Sequence, residues 1–198
     1  MKLVHFWVAA ALFTGTSAYA ATSFPQCPAV GADASGCEFL ITVTSASGGN
    51  ATAFNVAASV PDLGPYDSSD DTLVGVLNSS GATLTSVSLG SPLDIFGFDG
   101  DGACSGGFGT VAGCAGATDP SGYAPAGVSF SGINGSATSG TVNFNPGLAV
   151  GGSGWFSLED ALSASQIQSG VPEPSSIFLL GVGMSGLLAF FRRDRIAK

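Results

Sequence analysis

The chain has 198 residues and a formal net charge of −9 at pH 7, and its basic residues are confined to its two ends. Residues 21–170 contain no Lys, Arg or His, and the only histidine is His5. This composition excludes nucleic-acid binding, a Ser-His-Asp triad, a lysine Schiff base and a His-ligated zinc, since each needs a residue type that is missing. The same stretch carries the following carboxylates: Asp33, Glu38, Asp62, Asp67, Asp70, Asp71, Asp94, Asp99, Asp101, Asp119, Glu159 and Asp160. No cationic side chain can pair with them, so divalent cations are their natural partners.

The N-terminus has the three parts of a secretory signal peptide, residues 1–20. Lys2 gives a charged start, residues 3–13 are apolar, and Ala18 and Ala20 form the small-x-small pattern before a cleavage site. We expect signal peptidase to cut between Ala20 and Ala21. The alternative is a membrane-anchoring helix, but the apolar run is short for about 30 Å of hydrocarbon.

Four cysteines occur as two pairs with the same spacing, Cys27 with Cys37 and Cys104 with Cys114. Three pairings are formally possible, and the repeated spacing favours two local disulfides, which an exported chain forms readily. Loops of this length should each contribute about 2 to 3 kcal/mol. The rival interpretation, a four-thiolate zinc site, lacks the usual Cys-x2-Cys pairs.

Short runs with alternating apolar and polar residues predict about eight β-strands separated by glycine-rich turns. The predicted strands are 39–44, 52–56, 72–77, 83–89, 95–98, 128–131, 141–145 and 155–158. The turn-rich residues 78–81 predict that the third and fourth strands form a hairpin. The pattern favours an all-β domain over 21–163, an antiparallel β-sandwich or jelly-roll-like fold. Residues 159–165 could form one or two helical turns, and the polar residues 164–170 predict a linker.

Two acidic loops are candidate metal sites. Asp94, Asp99 and Asp101 place three carboxylates near a sharp turn, which suits a weak extracellular calcium site. The alternative is a glycine-rich turn in which each Asp bonds its own backbone. A second acidic loop, 67–71, allows the same two interpretations, and the two loops could converge in space.

Only one enzyme class is compatible with the absence of these residue types, a glycosidase that uses a pair of carboxylates. Glu38 and Glu159 would be its more usual acids, and Trp155, Tyr66 and Tyr123 could stack on sugar rings. Such enzymes need both a tuned acid and exposed aromatic platforms. We therefore expect no catalytic activity.

The C-terminus combines a proline-rich motif, a short apolar run and a basic cluster. The motif is Val171, Pro172, Glu173 and Pro174. Residues 175–191 then predict a short transmembrane helix, and the prolines prevent that helix from extending backwards. The basic residues Arg192, Arg193 and Arg195 would stay cytoplasmic by the positive-inside rule. The alternative is an ordinary single-span anchor.

This tail, residues 171–198, resembles the PEP-CTERM sorting signal, also known as the ice-binding protein C-terminal domain. The resemblance implies recognition and cleavage by a membrane exosortase and transfer to the cell surface or extracellular matrix, in bacteria that make exopolysaccharide. Three inner segments, 70–77, 95–102 and 155–159, resemble a region shared by many exported PEP-CTERM proteins.

The sequence therefore predicts a non-enzymatic protein that crosses the inner membrane, is held by its C-terminal helix until processing, and then lies at the cell surface or outside the cell. Its expected partners are signal peptidase, exosortase and the membrane, with exopolysaccharide as a further candidate and calcium as the candidate cofactor. The alternative function is a carbohydrate-binding module or weak glycosidase acting on exopolysaccharide.

Overall fold

A computed structural model describes residues 21–170, and the predicted signal peptide and C-terminal helix lie outside the described residues. Eight strands and one short 3-10 turn make up the regular structure of this part of the chain, which confirms the all-β class. They are β1 Phe39–Ser47, β2 Asn50–Ala58, β3 Thr72–Asn78, β4 Leu84–Gly90, β5 Val128–Ser131, β6 Ser139–Leu148, β7 Ser153–Leu158 and β8 Gln168–Ser169. Residues 21–170 include no helix of the length and apolar character needed to span a bilayer.

The strands form one nearly closed sheet in the order β5-β6-β4-β2-β1-β3-β7. The short strand β8 lies off this path and pairs with Leu89 and Gly90 at the end of β4. Most neighbours are antiparallel, but β1 pairs with β3 in parallel over five residue pairs, and β2 meets β4 in parallel at Asn50 and Ser86. The prediction of a wholly antiparallel sandwich is therefore corrected to a single mixed sheet.

The predicted hairpin between β3 and β4 is wrong, because Asn78 diverts the chain at the end of β3. Its backbone pairs with Gly151 and Gly152, and its buried side-chain amide donates to the carbonyls of Ala82 and Leu148. These bonds carry the chain away from β3, so β4 pairs with β6 instead.

The alternation in the sequence fixes which face of the sheet is buried. Phe39, Ile41 and Val43 of β1 point into the main core, while Leu40 and Thr42 between them are only partly buried. β3 differs, since its first five residues are all buried. Its inner face belongs to the main core, and its outer face is covered by a second core.

The second core is formed by the two disulfide-closed loops against the outside of the sheet. Its buried members are Phe24, Cys27, Val30, Cys37, Tyr66, Leu73, Ala103, Val111 and Trp155. The predicted pairings Cys27–Cys37 and Cys104–Cys114 are confirmed, and no cysteine thiol is left for zinc. Each disulfide thus holds closed one of the two loops that cover the outer apolar face of β3.

Two further sequence predictions need correction. Residues 95–98 form a turn followed by irregular backbone rather than a strand, although Ile95 and Phe96 do pack in the main core. The predicted linker 164–170 instead contains a single 3-10 turn, Ala164–Gln166, and then β8. The amide of Gly170 donates to the carbonyl of Ser88 at 2.9 Å, so the folded domain extends to the start of the tail motif.

Gly75 of β3 leaves room for the Cys27–Cys37 disulfide to pack against the strand, and this gives a test of the second core. A Cβ at this position would lie 2.5 Å from Cys37 Sγ and 3.1 Å from Gln26 Cβ. We expect Gly75→Ala to lower the free energy of unfolding by about 1 to 3 kcal/mol through overpacking. Denaturant unfolding measures this effect.

Gly81→Ala is the matched control, because a Cβ there would meet no atom within 4 Å. Its effect should stay within about 0.5 kcal/mol. Equal losses in the two variants would contradict the close packing of the disulfide on β3.

Candidate functional site

The register of β3 and β7 gathers acidic residues at one end of the sheet. Thr72 is paired with Leu158, so Asp71 and Glu159 lie side by side just beyond the strand ends. Together with Asp70, they form a group whose carboxylate oxygens all lie within 4.8 Å of one another. Two residues of the predicted acidic loop 67–71 therefore belong to a site that also includes a residue after β7.

The centre of the site is the hydroxyl of Tyr123, a side chain that is 0% exposed. Its oxygen lies 2.9 Å from Asp71 Oδ1, 2.8 Å from Asp101 Oδ1, 2.6 Å from Glu159 Oε2 and 3.4 Å from Asp99 Oδ1. We call these five residues the tyrosine-centred cluster.

A phenolic hydroxyl has a single hydrogen, so it can donate to only one of these carboxylates. Burial and the surrounding carboxylates raise the pKa of Tyr123 well above its usual range, which keeps that hydrogen in place. Every other short oxygen–oxygen contact needs a protonated carboxyl group or a cation between its partners. The geometry therefore demands positive charge that the side chains of residues 21–170 do not supply.

Asp71 is the most deeply buried carboxylate of the cluster, with 1% of its surface exposed. Its Oδ2 accepts a hydrogen bond from the Tyr66 hydroxyl at 2.7 Å, and its Oδ1 faces Tyr123. Burial raises the pKa of Asp71 to about 7, although the two tyrosine hydroxyls oppose this shift by stabilising the charged form. Burial likewise raises the pKa of Glu159.

Asp99 and Asp101 lie on the solvent-exposed side of the cluster. The side-chain contact between them lowers the pKa of Asp99 and raises that of Asp101. The ring of Phe98 stacks on Tyr123 with centroids 4.4 Å apart, which positions this loop against the buried tyrosine.

The predicted calcium ligands separate into two places. Asp99 and Asp101 reach Tyr123, whereas Asp94 lies beside Asp160. The pKa of Asp160 is raised by burial and then by Asp94, and its Oδ2 is buried without a hydrogen-bond partner. Asp67, from the second acidic loop, is a turn residue whose Oδ1 accepts the amides of residues 69, 70 and 71 at 3.0 to 3.1 Å.

Sequence reasoning missed the central role of Tyr123 and the contribution of Glu159. Asp119 fixes the tyrosine, because its Oδ2 accepts the amides of Tyr123 and Ala124 at 3.0 and 3.1 Å. The three inner segments that resemble a shared PEP-CTERM region contribute Asp70 and Asp71, Asp99 and Asp101, and Glu159 to this end of the sheet. Only the strand pairing shows that these segments converge.

A second group of carboxyls lies apart from this cluster. Asp33 and Glu38 are both buried, at 0% and 2% exposure, and burial raises their pKa values to about 7 and about 8. Like charges add to both shifts, from Asp62 on Asp33 and from Asp33 and Asp62 on Glu38. Sequence reasoning considered Glu38 only as a glycosidase acid and gave Asp33 no role.

Residues 21–170 thus form an acidic, disulfide-bonded, all-β domain in which two groups of carboxyls contain buried members. Residues 170–195 match the family model of the PEP-CTERM protein-sorting motif, so the chain carries that motif. The motif implies export and sorting to the cell surface by an exosortase-like system. No curated protein and no solved structure matches the chain.

The raised pKa values predict an unusual pH dependence. Asp33, Glu38 and Asp71 hold their protons more tightly in the folded state than at the ordinary values near 4 in the unfolded chain. Their contribution to stability is therefore complete below about pH 4 and is lost as the pH rises through 7 to 8. In a chelator, we expect the melting temperature to fall between pH 5 and pH 8.

Circular dichroism melts at constant ionic strength measure this dependence. The control is the Asp33→Asn, Glu38→Gln double variant, whose melting temperature should fall less steeply over the same range. A melting temperature that stays level or rises towards pH 8 would contradict the protonated state of the buried carboxyls.

Proposed function

We propose that this protein is a non-enzymatic surface or matrix domain whose tyrosine-centred cluster binds calcium. The observation that carries the proposal is the single phenolic hydrogen of Tyr123, which faces the carboxylates of four acidic residues. A divalent cation supplies the missing positive charge. Export by an exosortase-like system places the domain where weak calcium modules commonly operate.

The donor set suits calcium because it consists of hard oxygen ligands. Calcium takes six to eight oxygens from carboxylates, carbonyls and water, in a flexible geometry. Asp70, Asp71 and Glu159 already bring their ligand oxygens within 4.8 Å of one another, and Asp101 shares the Tyr123 hydroxyl with two of them. In this arrangement the ion would join the loop before β3, the loop after β4 and the end of β7.

The non-enzymatic role is supported by how the carboxylates are used. Asp71 and Glu159 contact the same buried hydroxyl oxygen at 2.9 and 2.6 Å, so a sugar could enter between them only by displacing Tyr123. No histidine, lysine or arginine is present in residues 21–170 to activate another nucleophile. A binding role that stabilises the domain fits this site better than general acid catalysis.

Carbohydrate binding, the alternative, has weaker support. Tyr66, Tyr123 and Trp155 are 1%, 0% and 8% exposed, so they do not present their ring faces to a sugar. A cavity of about 190 Å³ beside Trp155 and Pro146 is smaller than the 300 to 1,000 Å³ usual for ligand pockets. A glycan array and a reducing-sugar assay test this alternative: release of reducing sugar would contradict the non-enzymatic role, and binding on the array would establish the carbohydrate-binding module instead.

The proposal includes the route to the surface. Signal peptidase would remove residues 1–20, the C-terminal helix would hold the domain at the inner membrane, and an exosortase would then process the tail. Since Gly170 is bonded to β4, the folded domain would stand directly beside the sorting motif without a spacer. Exopolysaccharide would then be part of the surroundings of the delivered domain.

The calcium proposal predicts a conditional effect of Asp101→Asn combined with Glu159→Gln. Calcium at about 100 times the dissociation constant should stabilise the wild type by about 2.7 kcal/mol, and the variant should lose most of this gain. In a chelator, the variant should be no less stable than the wild type, because two mutually repelling carboxyls are gone. Thermal melts with calcium and with chelator measure both effects.

Asp67→Asn is the matched control from the neighbouring loop. It removes one negative charge, yet its side-chain oxygen can still accept the three backbone amides that Asp67 accepts. The control should keep the full calcium response. An equal loss in the control and in the double variant would mean that only the general charge matters and would sink the proposed site.

A further inference from the structure

The loop closed by Cys27–Cys37 buries the carboxyl group of Asp33 away from solvent. Asp33 forms an antiparallel bridge with Val30, and the amide of Ala32 donates to the carbonyl of Tyr66 at 2.7 Å. These bonds hold the loop against the domain. The Asp33 side chain is 0% exposed, and neither of its oxygens has a hydrogen-bond partner.

Glu38 follows this loop directly and begins the approach to β1. Its amide donates to the carbonyl of Leu73 at 3.0 Å, and its own carbonyl accepts the amide of Ser59 at 2.8 Å. The side chain is 2% exposed, and its Oε2 has no partner. The charge of exposed Asp62 acts on both buried carboxyls.

Protonation alone does not satisfy this pair. A proton would remove the charge of Asp33, but the resulting hydroxyl would still lack an acceptor and the other oxygen would still lack a donor. Water could supply hydrogen bonds but could not compensate two buried charges. A divalent cation does both, because it binds the unpartnered oxygens and neutralises the two carboxylates.

We propose that Asp33 and Glu38 hold a second calcium ion, buried beneath the Cys27–Cys37 loop and separate from the tyrosine-centred cluster. Backbone carbonyls or water would complete the coordination, and exposed Asp62 would add attraction for the ion as it enters. The raised pKa values of the two carboxyls agree with this arrangement, since burial and then neighbouring carboxylates raise both, and only a Thr72 hydroxyl opposes the shift of Glu38. The ion and the disulfide would then fix the same loop.

Each disulfide gives a local readout of its own site. Cys27–Cys37 encloses Asp33, whereas Cys104–Cys114 lies in the chain between Asp101 and Tyr123. A disulfide is reduced when its loop opens, and a ligand that binds only the closed loop lowers that opening. At about ten times its dissociation constant, calcium should slow the reduction of Cys27–Cys37 about tenfold.

The experiment uses the full chain, purified in detergent after export so that both disulfides are formed. Equilibrium dialysis with radioactive calcium counts the ions bound, and alkylation with mass spectrometry follows the reduction of each disulfide. We expect two ions in the wild type and one in Asp33→Asn or Glu38→Gln. These two variants should also lose calcium protection of Cys27–Cys37 while keeping that of Cys104–Cys114.

The Asp101→Asn, Glu159→Gln variant is the matched control. It should keep calcium protection of Cys27–Cys37 and lose that of Cys104–Cys114. If that variant binds as much calcium as the wild type while Asp33→Asn loses one ion, the proposed function fails and the buried site stands. If calcium does not protect Cys27–Cys37 in the wild type, the buried site is overturned even where a variant fails to fold. Unchanged binding in Asp33→Asn and Glu38→Gln would also overturn it.

Discussion

The structure depends on one electrostatic constraint, which is that residues 21–170 contain carboxylates but no basic side chain. In most domains a buried carboxylate finds an arginine, lysine or histidine, but that solution is absent here. The remaining ways to satisfy it are backbone amides, neutral hydroxyls, protons and external cations. Each of the first two has a limited number of donors, so an acidic domain of this kind has to leave the remainder to protons or to cations.

The fold uses the neutral donors first. Asp67 and Asp119 are satisfied by backbone amides in their own loops. The Oδ2 of Asp71 receives the hydroxyl of Tyr66, while its Oδ1 competes with Asp101 and Glu159 for the one hydrogen of Tyr123. Most of what is left lies in two places, each next to a disulfide-closed loop in the chain, and Asp160 beside Asp94 keeps one further buried oxygen without a partner. The second core explains this proximity, because one of the loops that cover β3 carries Asp33 and precedes Glu38, and the other follows Asp101. Stability and cation binding are therefore expected to be coupled in this domain.

Local chemistry was readable from the sequence, but long-range pairing was not. The alternation of Phe39, Ile41 and Val43 predicted a half-buried strand, and the cysteine spacing predicted both disulfides. The hairpin after β3 failed because the bonds of Asn78 reach residues about 70 positions away, which no local pattern encodes. The cluster was only half visible for the same reason: Asp71 and Glu159 become neighbours through the register of β3 and β7.

The central claim is that protons occupy the unsatisfied carboxyls until calcium replaces them. The most direct test is to add calcium to the protein in a weakly buffered solution and to measure the released protons with a pH-stat. The titration is done once at pH 6 and once at pH 9. The account predicts release of at least one proton per bound ion at pH 6, where groups with pKa values of about 7 and about 8 are still protonated. It predicts far less release at pH 9. Calcium binding at pH 6 without proton release, or no binding at either pH, would contradict it.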